Sequence, residues 1–148
     1  MTNTILVVDD NPSSVAGLVD AFATSGLTAT AAHGFTDALK RLKDVEPQLL
    51  IACVRLGPYN GLHLVLRVRA LYPNAAAILM GPADPMLARD ARALGVDAYL
   101  TTHAPDAVLL EALKILGRLR SGGNGVLLQA LAPAPAAAAV SPMLDGLS

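Results

Sequence analysis

The sequence predicts an α/β domain, an open parallel sheet with helices packed on both of its faces. Three observations carry that expectation. Short apolar runs recur between residues 4 and 101, each followed by a segment with apolar residues at helical spacing. This alternation implies right-handed crossovers and a parallel sheet. Several of the runs are apolar throughout, as strands covered on both faces are, instead of alternating with polar residues. The chain has 148 residues, 53% of them hydrophobic and only 3% aromatic. That length suits one domain with one core, and the core must be built from Val, Leu, Ile and Ala.

The elements follow in order. "TILVV" (4–8) is a continuous β-rich run. Asn11 and Pro12 then supply an N-cap and a first-turn proline for a helix carrying Val15, Leu18, Val19 and Phe22, which Gly26 ends. "LTATAA" (27–32) is a weaker second strand, followed by a helix around Ala38, Leu39 and Leu42 that stops before Pro47. "QLLIAC" (48–53) is the third strand, and Leu64, Val65, Val68 and Leu71 line the helix after Gly61. "AAAILM" (75–80) is the fourth strand. Asp84 and Pro85 open the next helix and Gly95 closes it. "DAYLT" (97–101) is the fifth strand, and Leu109, Leu113, Leu116 and Arg120 belong to a last helix. From Ser121 the composition changes. "SGGNG" and "LAPAPAAAAVSP" lack any periodicity that could pack, so 1–120 reads as the folded domain and 121–148 as a flexible Gly/Ala/Pro-rich tail or linker.

Charge and composition exclude several functions. The formal charge is 11 − 12 = −1, with Lys and Arg scattered over the helices, and aromatic stacking platforms are missing. Neither nucleic acid nor an anionic membrane surface is an expected partner. A single cysteine, Cys53, forms no internal disulfide, and no apolar run approaches the ~20 residues that span a bilayer. "MTNT" leads straight into a strand, so the cytoplasm is the expected compartment.

In an open parallel sheet, ligands bind beyond the carboxyl ends of the strands, where strand order reverses. The first strand ends on Asp9 and Asp10, the third on Cys53, the fourth on Gly81, and the fifth on Thr101, Thr102 and His103. Adjacent carboxylates at a strand end suit a hard cation such as Mg²⁺. Equally, Asp10 and Asn11 suit the capping of the helix that follows.

The ordered set "ILVVDD", "PQLLIACVRLGPYNG", "LYPNAAAILMGPAD" and "ALGVDAYLTTH" resembles the receiver domain of two-component response regulators, over residues 4 to about 120. The resemblance implies a flavodoxin-like (βα)5 fold with strand order 2-1-3-4-5. It also implies a Mg²⁺ site on the acidic pair, an aspartate ending the third strand that accepts a phosphoryl group from a histidine kinase, and a hydroxyl and a lysine ending the fourth and fifth strands. Asp9 and Asp10 match the acidic pair, Gly61 the glycine opening the third helix, and Tyr99 the aromatic that reorients.

The departures are more informative. Cys53 stands at the phosphoacceptor position, Gly81 at the hydroxyl, Thr102 at the lysine and His103 at the proline after it, with Gly57 and Pro58 in reversed order. Sulfur is a poor partner for Mg²⁺, and the fixed positive charge that phosphoryl transfer needs is missing. The chain therefore reads as a degenerate receiver, not an enzyme, that acts by phosphorylation-independent contact with signalling proteins such as a histidine kinase or output protein. Asp9 and Asp10 remain as a weak residual Mg²⁺ site, with no other cofactor expected.

For Cys53 itself three readings stand: a space-filling residue, a redox thiol, or a soft-metal ligand with Asp9, Asp10 and His103. The two carboxylates should raise its pKa. A redox or thiol-metal sensor built on Cys53 is the alternative function. His33 and His63 read as surface or capping residues. Leu109, Leu113 and Leu116 are expected to cover the sheet, and the outer side of the fourth helix, fifth strand and fifth helix to form the partner or homodimer surface.

Overall fold

The structure, a computed structural model, describes residues 4–120, and the stretch read as a tail, 121–148, lies outside them. The chain divides into a compact unit, Met1–Leu116, and a second unit beginning at Gly117. Strands β1 (Thr4–Val8), β2 (Thr28–Ala32) and β3 (Leu49–Cys53) are followed by two short ones, β4 (Arg55–Leu56) and β5 (Tyr59–Asn60), and then by β6 (Ala76–Met80) and β7 (Ala98–Leu100). The helices are α1 (Pro12–Thr24), α2 (Phe35–Arg41), α3 (Gly61–Leu71), α4 (Pro85–Ala93) and α5 (Pro105–Arg120).

Five strands form one parallel sheet in the order β2-β1-β3-β6-β7, which is the expected 2-1-3-4-5. Its centre is the most apolar part of the chain. Every residue of β3 and β6 is buried, as are Ile5 to Val8 of β1, consistent with helices on both faces. The edge strand β2, "TATAA", is the least hydrophobic and only Ala32 in it is buried. The crossover from β1 to β2 runs one way along the sheet and those from β2 to β3, β6 and β7 run the other. Right-handed crossovers therefore put α1 on one face and α2, α3 and α4 on the opposite one. A Cβ on Gly17 of α1 would lie 3.5 Å from Pro105, so α5 starts beside α1.

The helix starts obey local chemistry. Asn11, Asn60 and Asp84 accept hydrogen bonds from the backbone N–H of Ser13, Leu62 and Met86 at 3.0, 2.8 and 2.9 Å, each satisfying a donor the helix itself leaves open. Asn11 alone caps α1, and Asp10 is free for other work. Gly26 and Gly95 follow α1 and α4 with φ of 79° and 80°, the left-handed conformation that stops a helix at little cost only for glycine.

The segment after β3 carries a small hairpin in which β4 and β5 pair antiparallel, turning at Gly57 and Pro58. One expectation is corrected. The buried stripe of α5 is Val108, Ala112, Ile115 and Leu116, while Leu109 is half-buried and Leu113 is 43% exposed. Leu113 thus faces away from the sheet. The helix sits about one residue round from the expected register, since apolar residues line more than one of its faces. Among the described residues, no helix is long and apolar enough to cross a membrane.

One polar knot fixes the end of α3 against the far side of the sheet. The Arg69 guanidinium donates to the carbonyls of Ala75 (3.2 Å) and Leu94 (2.9 Å) and lies 3.5 Å from Asp97, whose carboxylate also accepts from Ala77 N at 2.9 Å. Removing it leaves two carbonyls without their side-chain donor and takes the counter-charge from Asp97, which keeps only Ala77 N. Arg69→Ala is expected to lower unfolding stability by about 2 kcal/mol in urea titration, and Arg69→Lys to recover less than half, because an ammonium cannot span the same fork of acceptors.

Candidate functional site

Sheet register assembles the site. Val8 pairs with Ala52 and Cys53 with Met80, so the next residue of β1, Asp9, comes level with Cys53, and Gly81 follows at the same edge. A cleft of about 540 Å³ opens there, lined by Asp9, Asp10, Asn11, Ser14, Cys53, Arg55, Met80, Gly81, Pro82, Thr101 and His103. It lies where strand order reverses, between β1 and β3, as the sheet topology requires.

Asp9 and Asp10 part company. Asp9 is 3% exposed, the single buried charged side chain among the described residues, and one carboxylate oxygen accepts from Asn11 N at 3.1 Å. Asp10 is exposed and turns to the hairpin, accepting from Gly57 N at 3.1 Å across the mouth of the cleft. Cys53 is 6% exposed, with its Sγ 3.2 Å from Nε2 of His103. The ligand atoms of Asp9, Cys53 and His103 all lie within 4.8 Å of one another, and Asp10 is not part of that group.

The fifth strand's end departs from the sequence reading in one respect. His103 lines the cleft and Thr102 does not. Thr102 instead uses its hydroxyl to accept from Ala104 N at 3.0 Å, a local cap on the way into α5. His33 and His63 are exposed and lie outside the cleft. The backbone N–H of His33 donates to Asp37 at 2.9 Å.

Gly81 and Tyr99 are complementary. A Cβ at Gly81 would run into the Tyr99 hydroxyl and would lie 2.9 Å from the Val54 side chain. The Tyr99 hydroxyl donates to Pro82 O at 2.7 Å, so its ring is held over the end of β6 by a backbone carbonyl. Burial and, after it, the charge of Asp84 push its phenol pKa up.

Burial, foremost, and then the carboxylates of Asp9 and Asp10 push the Cys53 thiol pKa far above its ordinary value of 9.0. The free thiol is therefore a poor nucleophile. Alkylation by iodoacetamide at pH 8 is expected to run on the order of a hundredfold slower than that of an exposed cysteine peptide, because the thiolate fraction limits the rate. Linkage gives the matching stability effect. The folded state holds this proton more tightly than the unfolded state, so its contribution is complete below about pH 9 and declines as pH rises beyond it. Wild type should lose stability relative to Cys53→Ser between pH 9 and 10.5, and parallel curves would contradict this.

A five-stranded parallel sheet in this order, with an acidic cleft at its carboxyl edge, defines the flavodoxin-like architecture of signalling receivers. The family model "Response regulator receiver domain" matches residues 5–114, and the chain belongs to that family. Among solved structures, a response regulator receiver protein from Pseudomonas putida superposes with TM-score 0.70 at 27% identity, covering 77% of this chain and 98% of that one. The chemotaxis response regulator CheY4 of Vibrio cholerae shares the fold at 18% identity, with TM-score 0.70 over 78% of this chain and 99% of that one. Response regulator MprA of Mycobacterium ulcerans is 27% identical over 121 residues, which are 82% of this chain and 50% of that protein. The chain thus spans half the length of that curated relative.

Proposed function

We propose that this receiver domain is a degenerate one, a signalling module that works through protein–protein contact and carries no aspartyl phosphate at position 53. The observation that supports this most is the end of β3. The side chain facing Asp9 there is a protonated thiol in contact with a histidine, where a phosphoacceptor would need a carboxylate.

The surroundings agree. Gly81 offers no hydroxyl, and the space such a side chain would need is taken by Tyr99 and Val54. Thr102 offers no positive charge and turns to Ala104. The cation lining the cleft is Arg55, exposed on the hairpin. Phosphoryl transfer depends on positioned charge around the equatorial oxygens, and substituting the nucleophile removes the acceptor as well.

Receiver domains interact with histidine kinases and output domains, and the natural surface for such contact here is α4, β7 and α5. Exposed Met86, Leu110 and Leu113 on α4 and α5 offer apolar area to a partner or a second copy. Incubating the protein with acetyl phosphate and Mg²⁺ tests the reading by intact mass. No added phosphoryl group is expected, and stoichiometric uptake at any residue would overturn it.

A further inference from the structure

We infer that Asp9, Cys53 and His103 form a binding site for a borderline-soft divalent cation of the Zn²⁺ type, distinct in chemistry from a Mg²⁺ site. The inference goes beyond the interaction reading and does not depend on it.

Three independent donors converge: a carboxylate oxygen, a thiol sulfur and an imidazole nitrogen, each from a different strand end, all within 4.8 Å of one another. Cys53 Sγ and His103 Nε2 are 3.2 Å apart. Tetrahedral zinc, with bonds of about 2.3 Å to sulfur and about 2.0–2.1 Å to nitrogen, sets those atoms about 3.5 Å apart. The Cys53–His103 pair needs to open by only a few tenths of an ångström, while the Asp9 carboxylate, within 4.8 Å of both, has to draw in by at most about 1.5 Å. His103 is exposed on the loop before α5, where such a shift meets little resistance.

A second observation points the same way. Asp9 is 3% exposed, and no Lys or Arg among the described residues forms an ion pair with it. A buried carboxylate without a counter-charge is costly and calls for a cation. Mg²⁺ is the wrong one, because it demands oxygen donors in an octahedron, whereas sulfur and imidazole select zinc-like ions.

Binding takes the proton from Cys53 Sγ to solvent, so that the ion meets a thiolate, a neutral imidazole through Nε2 and a carboxylate, and the fourth position opens to the cleft. One proton is released per ion. The cation reverses the local electrostatics that hold the thiol protonated in its absence.

Cobalt is the probe. Titrating the reduced full-length protein with Co²⁺ at neutral pH should give one ion per chain, a sulfur-to-cobalt charge-transfer band in the near ultraviolet, and the visible absorption of a tetrahedral ion. Zn²⁺ should then displace it, and a large excess of Mg²⁺ should not. Cys53→Ser and His103→Ala should each weaken Co²⁺ binding by at least about tenfold, with His63→Ala, on the exposed face of α3, unchanged. Melting temperature gives a second readout: Zn²⁺ should raise it for wild type and not for His103→Ala. Cobalt bound without the charge-transfer band, displacement by Mg²⁺, or equal affinity in the Cys53 and His103 variants would overturn the assignment.

Discussion

Cys53→Asp is expected to give a protein that takes up a phosphoryl group from acetyl phosphate in the presence of Mg²⁺, where the wild type takes up none. The variant sets three carboxylates around the cleft, Asp9, Asp10 and the new one, which is the oxygen-rich environment Mg²⁺ requires. It also restores an oxygen nucleophile beside Asp9, at the register position where β1 and β3 come level. Uptake should be slow, because a charged donor for the phosphoryl oxygens is still missing. Adding His103→Lys, at the position after β7 whose side chain lines the cleft, should raise the rate on the order of a hundredfold, the usual worth of one positioned electrostatic group. Gly81→Thr is best left out, since the Tyr99 hydroxyl and the Val54 side chain occupy that space. Intact mass and alkaline lability of the adduct read the result. A Cys53→Asp protein that folds, binds Mg²⁺ and still takes up nothing would mean that the cleft has lost more than its nucleophile.

Gly61→Ala is expected to cost about 2 kcal/mol. Gly61 starts α3 directly against the end of β3. A Cβ there would run into the Cys53 carbonyl oxygen and lie 3.0 and 3.2 Å from the carbonyl carbon of Cys53 and from Val54 Cα. None of these atoms can swing aside, since β3 is pinned in the middle of the sheet and Gly61 N donates to Val54 O at 2.7 Å. Such overpacking costs about 1–3 kcal/mol, while the helix propensity gained with alanine returns at most about 1. A backbone clash belongs at the upper end, so the loss wins. Gly117→Ala, in open space on α5, should instead be neutral or slightly stabilising. The pair of urea midpoints isolates the steric term.

Most of the fold was legible because the central strands announce themselves. "TILVV" and "LLIAC" are apolar throughout since both faces are covered, and N-caps at Asn11 and Asp84 mark where helices begin. What stayed hidden is tertiary or too short to carry a period. The β4–β5 hairpin has two residues per strand, leaving no alternation to read. In α5 the stripes 109/113/116 and 108/112/115/116 are both apolar at helical spacing, and only packing chooses between them. The site divides the same way. Strand ends fix Asp9, Cys53 and Gly81, so sequence order alone brought them to one edge. Which of Thr102 and His103 faces the cleft is decided by the backbone of the loop after β7, and the fit of Tyr99 over Gly81 joins residues 18 positions apart. Asp10 lines the cleft beside Asp9, as its place after the first strand implied, and the hydrogen bond its carboxylate accepts from Gly57 N on the hairpin is a tertiary contact that no spacing announces.

The central claim is that this receiver does not respond to a phosphoryl group at the end of β3. Amide NMR spectra of the wild-type protein with Mg²⁺, before and after beryllofluoride is added, test it most directly. The account predicts superimposable spectra, with Tyr99 and α5 unmoved, because no carboxylate at position 53 can hold the beryllium. Coherent shifts of Asp9, Tyr99 and α5 on addition would contradict it, and would mean that the acidic cleft still drives the switch through another residue.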